Sequence, residues 1–391
     1  MSNKFQQWIS SELKEIKKNN LHRILTEIDS SMSPEIIINK KKYIQFASNN
    51  YLGLTINSKI KNHSIKSINK FGTGTGGSRL VTGTSSLHCD LENVIAKFKK
   101  TQDSIVFSSG YLANIGTISS IMKKDDFIFS DELNHASLID GARLSKSNII
   151  IYKHNDVIDL EKKLKKYKNI NKKKMVITDS IFSMDGDIAP LDEIIKLCKK
   201  YNCISMIDEA HATGVLGKNG SGASEMFNIQ GDIDICMGTL SKAVGSVGGY
   251  VAGSRKLIDF LKNRARAFIF DTSLPASALA ASIKSIKLIQ NSDGPRKKLL
   301  SNIKNLHSFL KMNKFNFIYN ETPIIPIIIG SESKTLKISK ILKDNGIYLP
   351  AVRPPSVPKG SSRIRITLMS SHTSKHIDKL KKVLNKIKEI K

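Results

Sequence analysis

Six short apolar runs, at residues 104–107, 127–129, 149–152, 175–178, 204–207 and 233–237, alternate with stretches of helical spacing. Leu191, Ile194, Ile195 and Cys198 mark one of the intervening helices by their three-and-four periodicity. Strands that alternate with helices in this way predict a mainly parallel sheet covered on both faces. A chain of 391 residues is too long for one small core and suits two domains.

Near Leu274-Pro275 the texture changes. Residues 276–289 read as a long helix, 324–329 and 364–368 as strands, and Ile377, Leu380, Val383, Leu384, Ile387 and Ile390 as the apolar face of a last helix. The expected organisation is an N-terminal helix and arm over 1–45, a large domain over 46–275 and a smaller α+β domain over 276–391. Phe5, Trp8, Ile9, Leu13 and Ile16 place an amphipathic helix in the arm rather than a signal peptide. No apolar stretch approaches the roughly 18 residues that span a bilayer. The richest, 324–329, is interrupted by Pro326. A soluble, cytoplasmic protein is expected. Cys89, Cys198, Cys203 and Cys236 are scattered, so neither a disulfide framework nor a metal site is expected.

The ends of the apolar runs carry the chemistry. Asp208-Glu-Ala-His211 follows one run and Thr239-Leu-Ser-Lys242 the next. Residues just past the carboxyl ends of parallel strands converge on one crevice. A lysine for an imine, an acid for a pyridinium nitrogen and donors for a phosphate and a ring hydroxyl make a pyridoxal phosphate site. A lone lysine after a strand is usually a solvated surface group, but the glycine-rich Gly245-Ser-Val-Gly-Gly249 beyond Lys242 lets a cofactor approach closely. Asp-Glu-Ala-His is also a helicase signature. That reading requires a phosphate-binding Gly-x-x-x-x-Gly-Lys-Ser/Thr upstream, which this sequence lacks.

Ser108-Ser-Gly-Tyr-Leu-Ala-Asn114 opens a helix, where backbone amides form a ready phosphate cradle, with Thr239 adding a hydroxyl. His135 and Ser183 each follow another strand-like run, placed to stack on the ring and to donate to cofactor oxygens.

Together these motifs resemble the α-oxoamine synthases, a family of fold-type I pyridoxal phosphate enzymes with the architecture of aspartate aminotransferase. The resemblance runs from Asn50-Tyr-Leu-Gly-Leu54 through Asp208-Glu-Ala-His211 and Thr239-Leu-Ser-Lys242 to Arg363-Ile-Arg-Ile-Thr367. It implies pyridoxal 5′-phosphate as cofactor and decarboxylative condensation of an amino acid with an acyl thioester. It also implies phosphate contacts from Gly110 and Tyr111, ring stacking by His135 and an imine at Lys242. Asp208 would face the pyridine nitrogen, with Ser183, His211 and Thr239 completing the cofactor contacts.

Gly76-Gly-Ser-Arg-Leu-Val-Thr-Gly83, Thr322-Pro-Ile-Ile-Pro326 and Val352-Arg-Pro-Pro-Ser-Val-Pro358 are similar to the biotin-pathway branch of the family. That branch implies L-alanine and a pimeloyl thioester, on coenzyme A or a carrier protein, as substrates. Arg365 would clamp the alanine carboxylate, and Arg23, Asn50 and Ser356 would contact substrate. Lys242 would remove the α-proton, with His211 or His135 assisting. Two departures from the pattern are Ser356 in place of the commoner threonine and His22 where an aromatic commonly precedes Arg23. A homodimer is implied, with Thr272 and Ser273 reaching the neighbour's phosphate.

The formal net charge of +28 admits an acidic partner. Lysines nevertheless greatly outnumber arginines and spread along the whole chain, whereas a nucleic-acid protein concentrates charge and interleaves aromatics. Neither a nucleic acid nor a membrane is expected as partner. An acidic acyl carrier protein would benefit from the field. Two rivals remain: a sister enzyme such as the glycine-using 2-amino-3-ketobutyrate ligase, and a non-catalytic basic binding protein on the same fold.

Overall fold

The computed structural model describes residues 3–388, so Ile390 of the last predicted helix lies outside the described residues. The chain divides into two compact units, residues 49–183 with 187–298, and residues 1–48 with 184–186 and 299–391.

The first unit is built on a seven-stranded sheet. Its spatial order is Asp103–Phe107, Gly249–Gly253, Ile235–Thr239, Ile204–Asp208, Lys174–Asp179, Phe127–Asp131 and Asn148–Tyr152. Only Gly249–Gly253 runs against the others. Successive strand residues point to opposite faces, and both faces are buried. Ile105, Ile128, Met175, Ile177, Met206, Ile235 and Val251 share one core with the helices Gly110–Ile121, Ala136–Ser145 and Arg255–Arg264. Val106, Phe129, Val176, Ile207 and Tyr250 alternate with them and are equally buried. A sheet covered on both faces offers ligands access at its strand ends, and here the loops at the carboxyl ends carry the polar residues.

The second unit holds two small sheets. Glu35–Ile38 and Lys41–Gln45 form an antiparallel hairpin, and Ile347–Tyr348 adds parallel to it. Asn39 and Lys40 both have positive φ at the hairpin tip, as a two-residue turn matched to strand twist requires. Ile324–Gly330, Ser362–Thr367 and Ala351–Val352 form the other sheet. Pro326 is tolerated because its strand lies at the sheet edge. Helix Ser374–Lys388 buries Ile377, Leu380, Val383, Leu384 and Ile387, the face its spacing predicts.

Two boundaries differ from the sequence expectation. Residues 1–45 are not a separate arm: their hairpin pairs with Ile347–Tyr348 and so belongs to the smaller unit. The large unit runs to 298 rather than 275, because helix Ala276–Asn291 packs along helices Ser58–Phe71 and Ser86–Lys99. Helix Asn3–Lys18 forms as predicted, with Phe5, Trp8, Leu13 and Ile16 of its apolar stripe exposed.

Candidate active site

The segments that follow strands Asp103–Phe107, Phe127–Asp131, Ile204–Asp208 and Ile235–Thr239 of the large unit meet around one cavity. It measures about 160 Å³ and is lined by Gly110, Tyr111, His135, Asp208, His211, Thr239 and Lys242 together with Asn114, Ser137, Asp179, Ala210 and Met237. Ser183 stands in the turn after Lys174–Asp179 and is not among the lining residues.

Helix Gly110–Ile121 begins at the cavity. Ser109 caps it, its hydroxyl accepting from the Leu112 amide at 3.1 Å. The first-turn amides of such a helix carry partial positive charge toward an anion. Side chains are excluded from this corner by contact distance. A Cβ on Gly110 would lie 3.1 Å from Met237 Cε and 3.4 Å from Thr239 Oγ1, and one on Gly249 would lie 2.5 Å from the Ser109 carbonyl oxygen. Thr239 donates to the Gly248 carbonyl at 2.8 Å, which fixes the start of the turn leading to Lys242. Tyr111 lines the cavity, and its hydroxyl donates to Asp140.

Asp208 ends its strand with its carboxylate buried. Oδ1 accepts from the Ala210 amide and Oδ2 from Asn114 Nδ2, each at 2.8 Å. Both partners are neutral. An ionised carboxylate removed from water without a cation is costly, so this one suits a cationic group brought by a ligand. Asn114 Oδ1 is also buried and has no partner among the described residues. Asp179 lies deeper, accepting from the His135 amide at 2.7 Å. Burial first, then the Asp208 charge, pushes its carboxyl well above the usual carboxylate range.

His135 caps helix Ala136–Ser145, with Nδ1 accepting from the Ser137 amide and lying 2.7 Å from the Ser137 hydroxyl. Burial lowers its pKa, Asp208 opposes that shift and Lys242 reinforces it, so the ring stays below the ordinary histidine value. His211 Nδ1 is 2.6 Å from the Tyr51 hydroxyl, and Tyr51 is fully buried. Lys242 is half-buried at the cavity.

Asn50, in the same unit, donates to Thr55 Oγ1 at 2.7 Å. The remaining predicted substrate residues belong to the smaller unit. Arg365 donates to Thr367 Oγ1 at 2.8 Å, Arg23 donates to the Pro354 carbonyl at 3.0 Å, and the Ser356 amide donates to Arg353.

Sequence alone gives four further residues no role of their own, two of them, Asn114 and Tyr51, inside motifs quoted above. Asp179 is a third. His154 is a fourth: Nδ1 lies 3.0 Å from Asp131 and Nε2 2.7 Å from Asp187. Burial would lower its pKa, but the hydrogen-bonded carboxylates of Asp131 and Asp187 outweigh this and hold it raised to about 10. The signal for Asp179 and His154 was available, since each falls at or just past the end of an apolar run, as Asp208 does.

A mainly parallel sheet that presents a lysine, a buried carboxylate held by neutral donors and a helix N-terminus along its carboxyl edge is the arrangement of a fold-type I pyridoxal phosphate enzyme. The donor set fits that cofactor: an amine, a buried carboxylate held by two neutral donors, and a cradle that a Cβ would fill. The chain belongs to the class I and II aminotransferase family, whose model matches residues 41–384. The 8-amino-7-oxononanoate synthase of Lysinibacillus sphaericus is 49% identical over 379 residues, covering 97% of this chain and 96% of that protein. A serine palmitoyltransferase from S. paucimobilis, solved with a bound PLP-myriocin aldimine, superposes with a TM-score of 0.93 at 31% identity, covering 99% of this chain and 98% of that one. An 8-amino-7-oxononanoate synthase from Francisella tularensis superposes with a TM-score of 0.77 at 29% identity, covering 89% and 98%.

Proposed function

We propose that the chain uses pyridoxal 5′-phosphate to condense L-alanine with a pimeloyl thioester, releasing carbon dioxide and the thiol, and so forms 8-amino-7-oxononanoate for biotin synthesis. The observation that carries the reading is the buried Asp208 carboxylate, held by two neutral donors in the same cavity as Lys242. When bound, the cofactor supplies a protonated ring that accepts the electron pair left when a proton or carbon dioxide departs from the amino-acid carbon.

The residues divide the remaining work. Lys242 would hold the cofactor through its ε-amine, and the same amine would serve as general base toward the α-proton of alanine. Asp208 would keep the proton on the ring nitrogen, each pKa unit it adds there being about 1.4 kcal/mol. Ser109 and the amides from Gly110 onward, with Thr239, would take the phosphate. His135 would cover the ring as a neutral imidazole, Ser183 would donate to cofactor oxygens and His211, braced by Tyr51, would serve the ring hydroxyl. A neutral His135 or a His211 coupled to Tyr51 can assist proton transfer on the acyl carbonyl.

Arg365 clamps the alanine carboxylate through its guanidinium fork. Arg23, Asn50 and Ser356 meet the acyl substrate. The working unit is a cytoplasmic homodimer. Leu80, Val81 and Phe270 are exposed apolar residues on the segments beside Thr272 and Ser273, where a second copy would cover them. The acyl donor is pimeloyl-coenzyme A or the pimeloyl carrier protein, the latter favoured by the positive field.

Steady-state turnover with alanine and glycine, each paired with pimeloyl- and acetyl-coenzyme A, tests the assignment. Preference for alanine with the pimeloyl thioester is expected. Preference for glycine with acetyl-coenzyme A would move the chain to the sister ligase, and absence of any turnover would favour a binding protein.

A further inference from the structure

The glutamate of Asp208-Glu-Ala-His211 has no part in the chemistry above. Its side chain is fully buried in the large unit, paired with Lys99, which is itself fully buried. The Lys99 ammonium also donates to the Ser221 carbonyl and, at 3.1 Å, to Thr213 Oγ1, so its three hydrogens have three acceptors. The other Glu209 oxygen accepts from the Ser224 amide at 2.6 Å. Thr213 continues the network to the Tyr250 hydroxyl at 2.8 Å. Gly222, with φ of 131°, lets the loop pass where a Cβ would meet the Glu209 carboxylate at 2.5 Å.

Stability alone is a weak reason for such a pair, because a buried ion pair is often replaceable by apolar residues without loss. Its position supplies another. Glu209 follows Asp208 directly, and its amide donates to the Met237 carbonyl on the strand that leads to Lys242. Its carbonyl accepts from the amides of Ala212 and Thr213, closing the turn that presents His211. The same turn delivers the Ala210 amide to Asp208 Oδ1. Lys99 grips both ends of this turn, Glu209 and Thr213, and ties them to the loop at Ser221.

We infer that Lys99 and Glu209 are positioning residues, setting the turn that aims the Asp208 carboxylate and the His211 imidazole at the cofactor. This rests on the reading of the cavity as the pyridoxal phosphate site. Burial alone would push the Lys99 amine down, but the Glu209 charge more than offsets it and keeps the amine protonated.

Lys99→Met alone strands a buried carboxylate and is expected to lower the melting temperature sharply. The informative variant is therefore Lys99→Met with Glu209→Gln, which removes both charges and keeps the shape. Its dissociation constant for pyridoxal phosphate, from equilibrium dialysis of the full-length chain, is expected to rise at least five-fold. At saturating cofactor kcat is expected to fall at least five-fold, with the KM for the thioester unchanged. A folded double variant that binds the cofactor less than five-fold more weakly than the parent overturns the inference. Should the double variant not fold, Thr213→Val decides, since it removes one Lys99 acceptor and strands no charge. Weaker cofactor binding at an unaltered melting temperature supports the inference, and unaltered binding overturns it. The two readings separate cleanly. A parent that takes up no pyridoxal phosphate defeats the cofactor assignment itself, whereas a parent that binds it and a double variant that matches the parent defeat only the positioning role.

Discussion

Two histidines, His135 exposed at the cavity of the large unit and His372 buried in the smaller unit, show how differently the units use an imidazole. In the large unit His135 sits among Asp208, Asp179 and Lys242, and its pKa is set by burial working with and against charged neighbours. In the smaller unit His372 stacks on Phe46 with centroids 4.4 Å apart, accepts from the Met369 amide at Nδ1, and donates from Nε2 to the Gln45 carbonyl at 2.8 Å. Burial depresses His372 to about 4, so it serves as a neutral hydrogen-bonding wedge. The large unit concentrates costly buried charge at its strand ends, where a ligand is needed to complete it. The small unit satisfies its buried ring locally and needs none. Substitutions at the cavity of the large unit should therefore read out in chemistry, and substitution of His372 in stability.

The largest effect belongs to Lys242. Lys242→Ala should lower kcat by on the order of 10⁴-fold, the upper range of general-base catalysis, with little change in melting temperature of the cofactor-free protein. Steady-state kinetics beside a thermal melt checks both halves. Asp208→Asn should follow, with kcat down about 100-fold or more through loss of the protonated ring, and KM for the thioester nearly constant. If either variant instead mainly lowered stability, the contrast between the units would fail.

Arg365→Lys keeps the charge and loses the fork. It should raise the KM for alanine by about 10-fold, the order of one charge-assisted hydrogen bond, and leave cofactor affinity alone.

The smallest effects concern pH. His372 has a folded value near 4 against an unfolded value near 6.5, so its contribution is fully present above about pH 6.5 and is lost as pH falls through 4. His154 runs the other way: raised to about 10, it contributes fully below about pH 6.5 and loses that contribution as pH rises through 10. Chemical denaturation from pH 4 to 10 should show His372→Phe flattening the acid limb and His154→Gln the alkaline limb. A His154→Gln profile parallel to the parent's would remove the carboxylate clamp from the account.

Much of this was legible beforehand because parallel strands buried on both faces must be apolar, and the polar residue ending each run stands out. The six runs correspond to six of the seven strands, and Lys242, Asp208, His211, His135, Gly110, Tyr111 and Thr239 share one cavity as their positions imply. The seventh strand, Gly249–Gly253, was hidden. Glycine at both ends carries no strand signal, yet only glycine fits, since a Cβ at Gly249 or Gly253 would strike backbone at 2.5 and 2.7 Å. The hairpin 35–45 and helix Ala276–Asn291 were assigned to the wrong units because allegiance depends on nonlocal partners, Ile347–Tyr348 in one case and two distant helices in the other. Glu209 read as part of a motif, and nothing at Lys99, one of many lysines, announced its partner 110 residues away.

The most direct test of the central claim is borohydride reduction of the protein incubated with pyridoxal phosphate, followed by peptide mapping by mass spectrometry. The account predicts one reduced pyridoxyl adduct, on the peptide containing Lys242, absent when L-alanine is added first in excess. An adduct spread over surface lysines, or fixed on another residue and indifferent to alanine, would contradict it.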